Sequence, residues 1–163
     1  MEKIKIAVIG GGNMGGAITT ALSTKEEYEV FLYERTTENA KALLDECPIT
    51  LLSSVSEATD MDCIIIALKP QNLPSFYEKL VPLSPGLFIS ICAGVDLNTL
   101  RENLKSDSVV RFMPNIGAKV GKSVTAVAPV EGMDEKLVNL SIDIASSFGD
   151  AFLLDESLFS AFI

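Results

Sequence analysis

Residues 4–18 read Ile4-Lys5-Ile6-Ala7-Val8-Ile9-Gly10-Gly11-Gly12-Asn13-Met14-Gly15-Gly16-Ala17-Ile18, and this stretch decides the fold. A β-rich run passes directly into three glycines, after which Met14, Ala17, Ile18, Ala21 and Leu22 recur at helical spacing. A G-x-G-x-x-G pattern carries weight only between a strand and a helix, and Gly10, Gly12 and Gly15 stand in that context. Gly10 permits a tight turn, Gly12 lets a pyrophosphate approach the backbone, and Gly15 lets the helix pack close to the sheet. The helix N-terminus then offers free N–H groups and partial positive charge to phosphates. Gly10, Gly12, Asn13, Met14 and Gly15 are therefore candidate cofactor-binding residues.

Outward from this turn, strands and helices alternate. Strands are predicted at Val30–Tyr33, Ile49–Leu52, Cys63–Leu68, Leu87–Ile91 and Val109–Phe112. Between them, Ala40, Leu43, Leu44 and Cys47 mark a helix capped by Thr36 or Thr37 and stopped by Pro48. A brief helix is expected near Val55–Thr59, another on Leu73, Phe76, Tyr77 and Leu80, and a third on Leu97, Leu100 and Leu104. The uniformly apolar Cys63–Leu68 run reads as a strand buried on both faces. Short loops between alternating elements mean right-handed βαβ units and a parallel sheet with helices on both faces. The last third changes character. Alternation over Lys122–Val130 predicts a half-exposed antiparallel strand, followed by a helix on Leu137, Leu140, Ile144, Ala145 and Phe148, closed by Gly149, and a strand at Ala151–Leu154. The expectation is an α/β, doubly wound sheet with six parallel strands plus antiparallel C-terminal strands. Leu158–Ile163 is strongly apolar, and an exposed patch of that kind wants a partner: either it packs back on the domain or the chain is the first part of a longer protein, the reading favoured here. We read residues 1–155 as one dinucleotide-binding domain and 156–163 as the start of a further helical domain for dimerisation and substrate.

Composition narrows the function. The 163 residues carry 13 Lys+Arg against 22 Asp+Glu, a formal charge of −9 that argues against a nucleic-acid partner. With 48% hydrophobic and 21% charged residues, the chain has the makings of a globular core. The sequence contains no His, which removes the commonest general base and the commonest metal ligand. Cys47, Cys63 and Cys92 sit in apolar stretches and read as buried, reduced thiols; no metal site is expected. No apolar run approaches the ~20 residues of a membrane span, and Met1–Lys5 enters a strand with no room for a signal peptide. A cytoplasmic protein with no membrane partner is the expectation.

Further candidates stand where strands end, the edge at which open α/β folds bind ligands. Glu34 closes the second strand 24 positions beyond Gly10, near the place about 20 residues on where an acidic side chain holds a ribose 2′-OH. Arg35 and Thr36 beside it can instead receive a 2′-phosphate, which leaves NADH and NADPH both open. Ala67, Leu68, Lys69 and Pro70 leave the buried strand, with Lys69 able to meet a phosphate or ribose. Cys92, Ala93 and Gly94 leave the next strand through small residues that let a flat ring lie against backbone. Asn115, after Met113-Pro114, offers a donor and an acceptor for a carboxamide or substrate. A Ser/His/Asp set, a Cys/His pair and a poised carboxylate pair are all missing from the motifs. Hydride transfer needs none of them, because the nicotinamide carries the chemistry.

These residues resemble the pyrroline-5-carboxylate reductases. The matching segments are Gly10–Ile18, Ala67-Leu68-Lys69-Pro70-Gln71, Ser90-Ile91-Cys92-Ala93-Gly94-Val95, and Arg111-Phe112-Met113-Pro114-Asn115 with Val120-Gly121. The resemblance implies a Rossmann-like domain, NADPH or NADH as cofactor, and reduction of 1-pyrroline-5-carboxylate to L-proline in a homo-oligomer. Two departures stand out. Ile116-Gly117 replaces the Thr-Pro that follows Met-Pro-Asn in the family, and Glu34 replaces a small or amide residue of its NADPH-preferring members. The family's Ser/Gly-rich substrate motif would begin just after Ile163, so the catalytic residues are expected beyond it and this chain alone is expected to be inactive. Competing readings are a β-hydroxyacid dehydrogenase-like enzyme, a deazaflavin-dependent reductase, or a non-catalytic nucleotide-binding domain.

Overall fold

The computed structural model describes residues 2–114 and 122–161. Among them, eight strands form one sheet in the order β3-β2-β1-β4-β5-β6-β7-β8. The strands are β1 Ile4–Ile9, β2 Tyr28–Tyr33, β3 Thr50–Leu51, β4 Cys63–Ile66, β5 Leu87–Ser90, β6 Val109–Met113, β7 Ser123–Pro129 and β8 Gly149–Leu153. The helices are α1 Asn13–Ser23, α2 Thr37–Glu46, α3 Tyr77–Leu80, α4 Leu97–Leu104 and α5 Glu135–Ser146. Strands β1 to β6 pair in parallel. β7 runs antiparallel to β6, and β8 parallel to β7 because α5 crosses back between them. The expected α/β architecture, six parallel strands followed by reversed ones, is the observed one.

The sheet separates two apolar layers. On one face Ile6, Val8 and Ile65 meet Ile18 and Leu22 of α1 and Ile144 and Phe148 near α5. On the other, Ala7, Ile9, Ile64 and Ile66 meet Leu73, Phe76 and Leu80 and the α4 face Leu97, Leu100 and Leu104. All four residues of β4 are buried, as its unbroken apolar run requires.

Several boundaries shift. β4 ends at Ile66; Ala67 N still donates to the Ile9 carbonyl at 2.9 Å, and the chain turns away from the sheet after it. The helix expected over Val55–Thr59 is one 3₁₀ turn, Val55–Glu57. The one on Leu73–Leu80 is broken into a 3₁₀ turn at Leu73–Phe76, α3, and a 3₁₀ turn at Val81–Leu83. Pro74 and Pro82 each stand at the start of a 3₁₀ turn, where the missing N–H is harmless, and neither can continue a preceding helix. Gly149 does not close α5, whose C-cap is Ser147. It opens β8 at φ +142°, pressed so close to Ser123 that a Cβ would collide with that backbone. Phe159 is 3% exposed and belongs to the α4-side core, while Leu158 stays in solvent. Phe162 and Ile163 lie outside the described residues.

Candidate functional site

The chain runs β1, β2, β3 toward one edge of the sheet, then crosses back so that β4 lies on the other side of β1. Where the order reverses, the loops after β1 and β4 diverge and leave a crevice at the carboxyl edge. A cleft of about 380 Å³ lies there. The glycine turn forms one wall. Gly10 takes φ +110°, and a Cβ on it would stand 2.6 Å from the Ala67 carbonyl oxygen. A Cβ on Gly15 would run into the Gly10 carbonyl oxygen and come within 3.0 Å of the Ala67 side chain, so α1 packs against the turn only with glycine there. Gly12 differs, since a Cβ there would meet nothing within 4 Å. Its side-chain position is an open cradle, and Gly12 is also the N-cap of α1, without a side-chain cap and with no acidic residue in the first turn. The first N–H groups of a helix have no intrahelical acceptor. An unfilled space before them fits the pyrophosphate of a dinucleotide.

The opposite wall comes from the end of β2. Glu34 accepts a hydrogen bond from Gly11 N at 2.6 Å and another from Thr36 N at 3.0 Å. Its carboxylate therefore braces the glycine turn and sits at the entrance to α2, while Arg35 and Thr36 line the cleft exposed. Thr36 is the N-cap of α2, but its side chain makes no capping bond. Ala67, Leu68 and Lys69 line the side toward β4, where Asn72 N bonds to the Lys69 carbonyl and closes the turn through Pro70. Of the residues proposed from sequence, the cleft brings together Gly10, Gly12, Asn13, Glu34, Arg35, Thr36, Ala67, Leu68 and Lys69. Met14 is half-buried against the core, Gly15 is buried behind the turn, and Pro70 faces solvent. Asn115 lies outside the described residues.

Cys92, Ala93 and Gly94 occupy the next loops along the same edge. Cys92 is buried; burial pushes its thiol up against the opposing hydrogen bonds of Ser90 and Leu68, and the protonated Sγ donates to the Leu68 carbonyl at 3.0 Å. That bond ties the loop after β4 to the loop after β5. Ala93 and Gly94 are exposed and line a second, larger cavity of about 1180 Å³, shared with Met113 and Arg111 of β6 and with Glu156 and Phe159.

Some lining residues escaped the sequence reading. Tyr33 and Phe76 also border the cleft, their rings packed edge-to-face with centroids 6.3 Å apart. Asn39, one turn into α2, borders it too, and its place just after the Thr36 cap was the available signal. Arg111 stands in the sixth predicted strand and in the segment that carries the resemblance, with no role of its own assigned from sequence. A single charge among Val109, Val110 and Phe112 was the sign that a buried partner exists. Among the described residues, no group of three or more His, Cys, Asp or Glu could hold a metal ion, and no helix is long and apolar enough to cross a membrane.

Fold and cleft together define a dinucleotide-binding α/β domain of oxidoreductase type. The chain belongs to the family described as NADP oxidoreductase coenzyme F420-dependent, which it matches over residues 5–94. Along nearly its whole length it is also similar to pyrroline-5-carboxylate reductases. The relative from Methanosarcina acetivorans is 33% identical, with 99% of this chain and 62% of that protein covered. The crystal structure of the Streptococcus pyogenes enzyme superposes with a TM-score of 0.84 at 29% identity, covering 98% of this chain and 61% of the other. That of the Plasmodium falciparum pyrroline carboxylate reductase, solved with NADP bound, gives a TM-score of 0.84 at 27% identity, covering 97% and 60%. The chain thus spans about three fifths of the length of these relatives.

Proposed function

We propose that this chain is the cofactor-binding part of a pyrroline-5-carboxylate reductase and that it takes NADH in preference to NADPH. The observation that carries the first half is the extent of the similarity. Reductases of this kind align with 98–99% of the chain in the Aquifex aeolicus and Methanosarcina acetivorans relatives, well past the glycine turn shared by many dinucleotide enzymes. The second half rests on Glu34, whose carboxylate stands at the cleft wall between Gly11 and Thr36. A ribose 2′-OH can donate to that carboxylate, whereas a 2′-phosphate would meet its negative charge.

In this reading the Gly10–Gly15 turn holds the pyrophosphate, and Glu34 orients the adenosine ribose. The loops after β4, β5 and β6 receive the other half of the cofactor. When bound, the nicotinamide supplies the hydride that reduces the imine carbon of 1-pyrroline-5-carboxylate. Ala93 and Gly94 keep side chains away from a flat ring, and Asn115 is proposed to meet its carboxamide. The groups that hold the substrate carboxylate and protonate the imine nitrogen come from the part of the reductase length that this chain does not span, in an oligomeric, cytoplasmic enzyme.

The test has two arms. NADH and NADPH are titrated against the 163-residue chain, and the chain is then fused to the part of the Methanosarcina acetivorans relative that it does not match. Tighter NADH binding, with NADH oxidised by the fusion only when 1-pyrroline-5-carboxylate is present, is expected. Failure to bind either dinucleotide, or oxidation indifferent to that substrate, would overturn the proposal.

A further inference from the structure

Arg111 is a buried cation in an otherwise apolar strand. It sits in register with Ser90 on β5 and Ala128 on β7, and its side chain is 9% exposed. Arg111 Nη1 donates to Glu156 Oε2 at 2.7 Å, and Phe159 lies with its ring centroid 4.9 Å from the guanidinium carbon. The same Glu156 oxygen accepts from Leu97 N at 2.7 Å, in the first turn of α4. One carboxylate oxygen thus joins three stretches of chain: β6, the start of α4, and the 3₁₀ turn Glu156–Ala161 that follows β8. The first two lie beside the carboxyl edge, whereas the turn follows β8, which runs the other way. Gly94 stands three residues before Leu97, and Met113 two residues after Arg111.

The arrangement is not what stability alone would select. Among the described residues Arg111 Nε is buried with no acceptor, and a well-packed apolar pair fills such a place without that loss. What a charged pair provides and an apolar pair does not is direction: bonds of fixed length and angle between elements distant in sequence. Neighbouring strands lie about 4.8 Å apart, which puts β6 about 14 Å from β1 along the edge and within the span of an extended dinucleotide whose pyrophosphate rests on Gly12.

We infer that Arg111 and Glu156 are positioning residues: their pair, locked onto Leu97 N, sets the end of β6 and the loop between β5 and α4 at the height that receives the nicotinamide end of the cofactor. The inference rests on the dinucleotide reading above and goes beyond it, since neither residue touches the glycine cleft. It predicts that the pair governs the nicotinamide half of binding and leaves the adenosine half alone.

The probes are NADH and ADP-ribose, which share everything up to the second ribose, titrated against the 163-residue chain and its variants. Arg111→Met removes the donor, and Glu156→Met removes the acceptor of both bonds. The double variant Arg111→Met/Glu156→Met replaces it with apolar packing that is expected to restore the melting temperature. In the double variant NADH affinity should fall about tenfold, equivalent to ~1.4 kcal/mol, while ADP-ribose affinity stays within about twofold. Amide exchange at Leu97 should quicken in the same variant, because its acceptor is gone. A double variant with unmelted fold and unchanged NADH affinity would overturn the inference, as would equal losses for both probes, and would leave the dinucleotide reading standing. If the unmodified chain bound neither probe, the dinucleotide reading would fall and the inference with it.

Discussion

The two ends of the carboxyl edge are built by opposite means. Around β1, β2 and β4 the cleft is made of backbone: a glycine turn, an uncapped helix N-terminus, and one carboxylate that braces the turn from 23 residues away. Around β5 and β6 the strand and the start of α4 are held by side chains, through an Arg111–Glu156 bond spanning 45 residues and a Glu156–Leu97 bond spanning 59. A backbone site needs small residues in one order along one stretch of chain. A side-chain site needs the right partners to arrive from distant segments. The first tolerates no added atom at Gly10 or Gly15, whereas the second tolerates changes that preserve volume and responds to those that alter direction.

Substitutions within the glycine turn give the sharpest break of this contrast. Gly15→Val adds a Cβ into the Gly10 carbonyl and against Ala67, forcing α1 away from the sheet. Overpacking of this kind costs about 3 kcal/mol, which for a chain this size lowers the melting temperature by roughly 10 °C. Dinucleotide affinity should fall with it, by about a hundredfold, since the turn and the helix N-terminus move together. Calorimetry and NADH titration check both. Gly12→Val separates the two effects. Its Cβ meets open space, so the melting temperature should stay within about 2 °C, while the filled cradle weakens NADH about a hundredfold. A large melting shift in Gly12→Val would mean that the cradle is structural.

Glu34 spans both modes, because a side chain completes a backbone site. Glu34→Ala removes the charge-assisted bonds to Gly11 N and Thr36 N. NADH affinity should drop about tenfold, the scale of one such bond, whereas NADPH should hold or improve as the negative charge leaves. A loss confined to NADPH would hand the 2′-position to Arg35 and Thr36. The smallest effect belongs to the α4 cap on the side-chain-built end. Asp96 accepts from Thr99 N at 2.8 Å, and that bond, with the Thr99 hydroxyl, holds its carboxyl below the ordinary range. Asp96→Ala should cost about 1 kcal/mol at neutral pH. A carboxyl lowered in the folded state contributes stability above its unfolded value and loses it as pH falls through the folded one. The melting curves of parent and variant should therefore converge in acid, and a constant gap down to pH ~2 would exclude the cap as its source.

The sequence by itself determined the alternation of strands and helices, the parallel sheet and the glycine turn. Each of these depends on residues that are neighbours in the chain: apolar periodicity sets the element, and Gly10, Gly12 and Gly15 set the turn. It also carried Glu34 and Lys69 to the cleft, because a strand's end fixes which edge its last residues reach. Tertiary structure decided the rest. Whether Glu34 braces Gly11 depends on β1 and β2 pairing in the register Ile9↔Tyr33, which local sequence does not contain. Ala67 and Leu68 read as strand because they are apolar, but the paired register ends at Ile66 and one last bond, from Ala67 N to the Ile9 carbonyl, precedes the turn. Phe159 reads as an exposed terminus until the α4-side core is assembled and a buried place for it exists. Arg111 reads as an oddity in a strand until Glu156 arrives beside it. A residue's chemistry is local, but its partner is chosen by the sheet, and a charge is buried only where the folded chain brings its counter-charge within hydrogen-bonding distance.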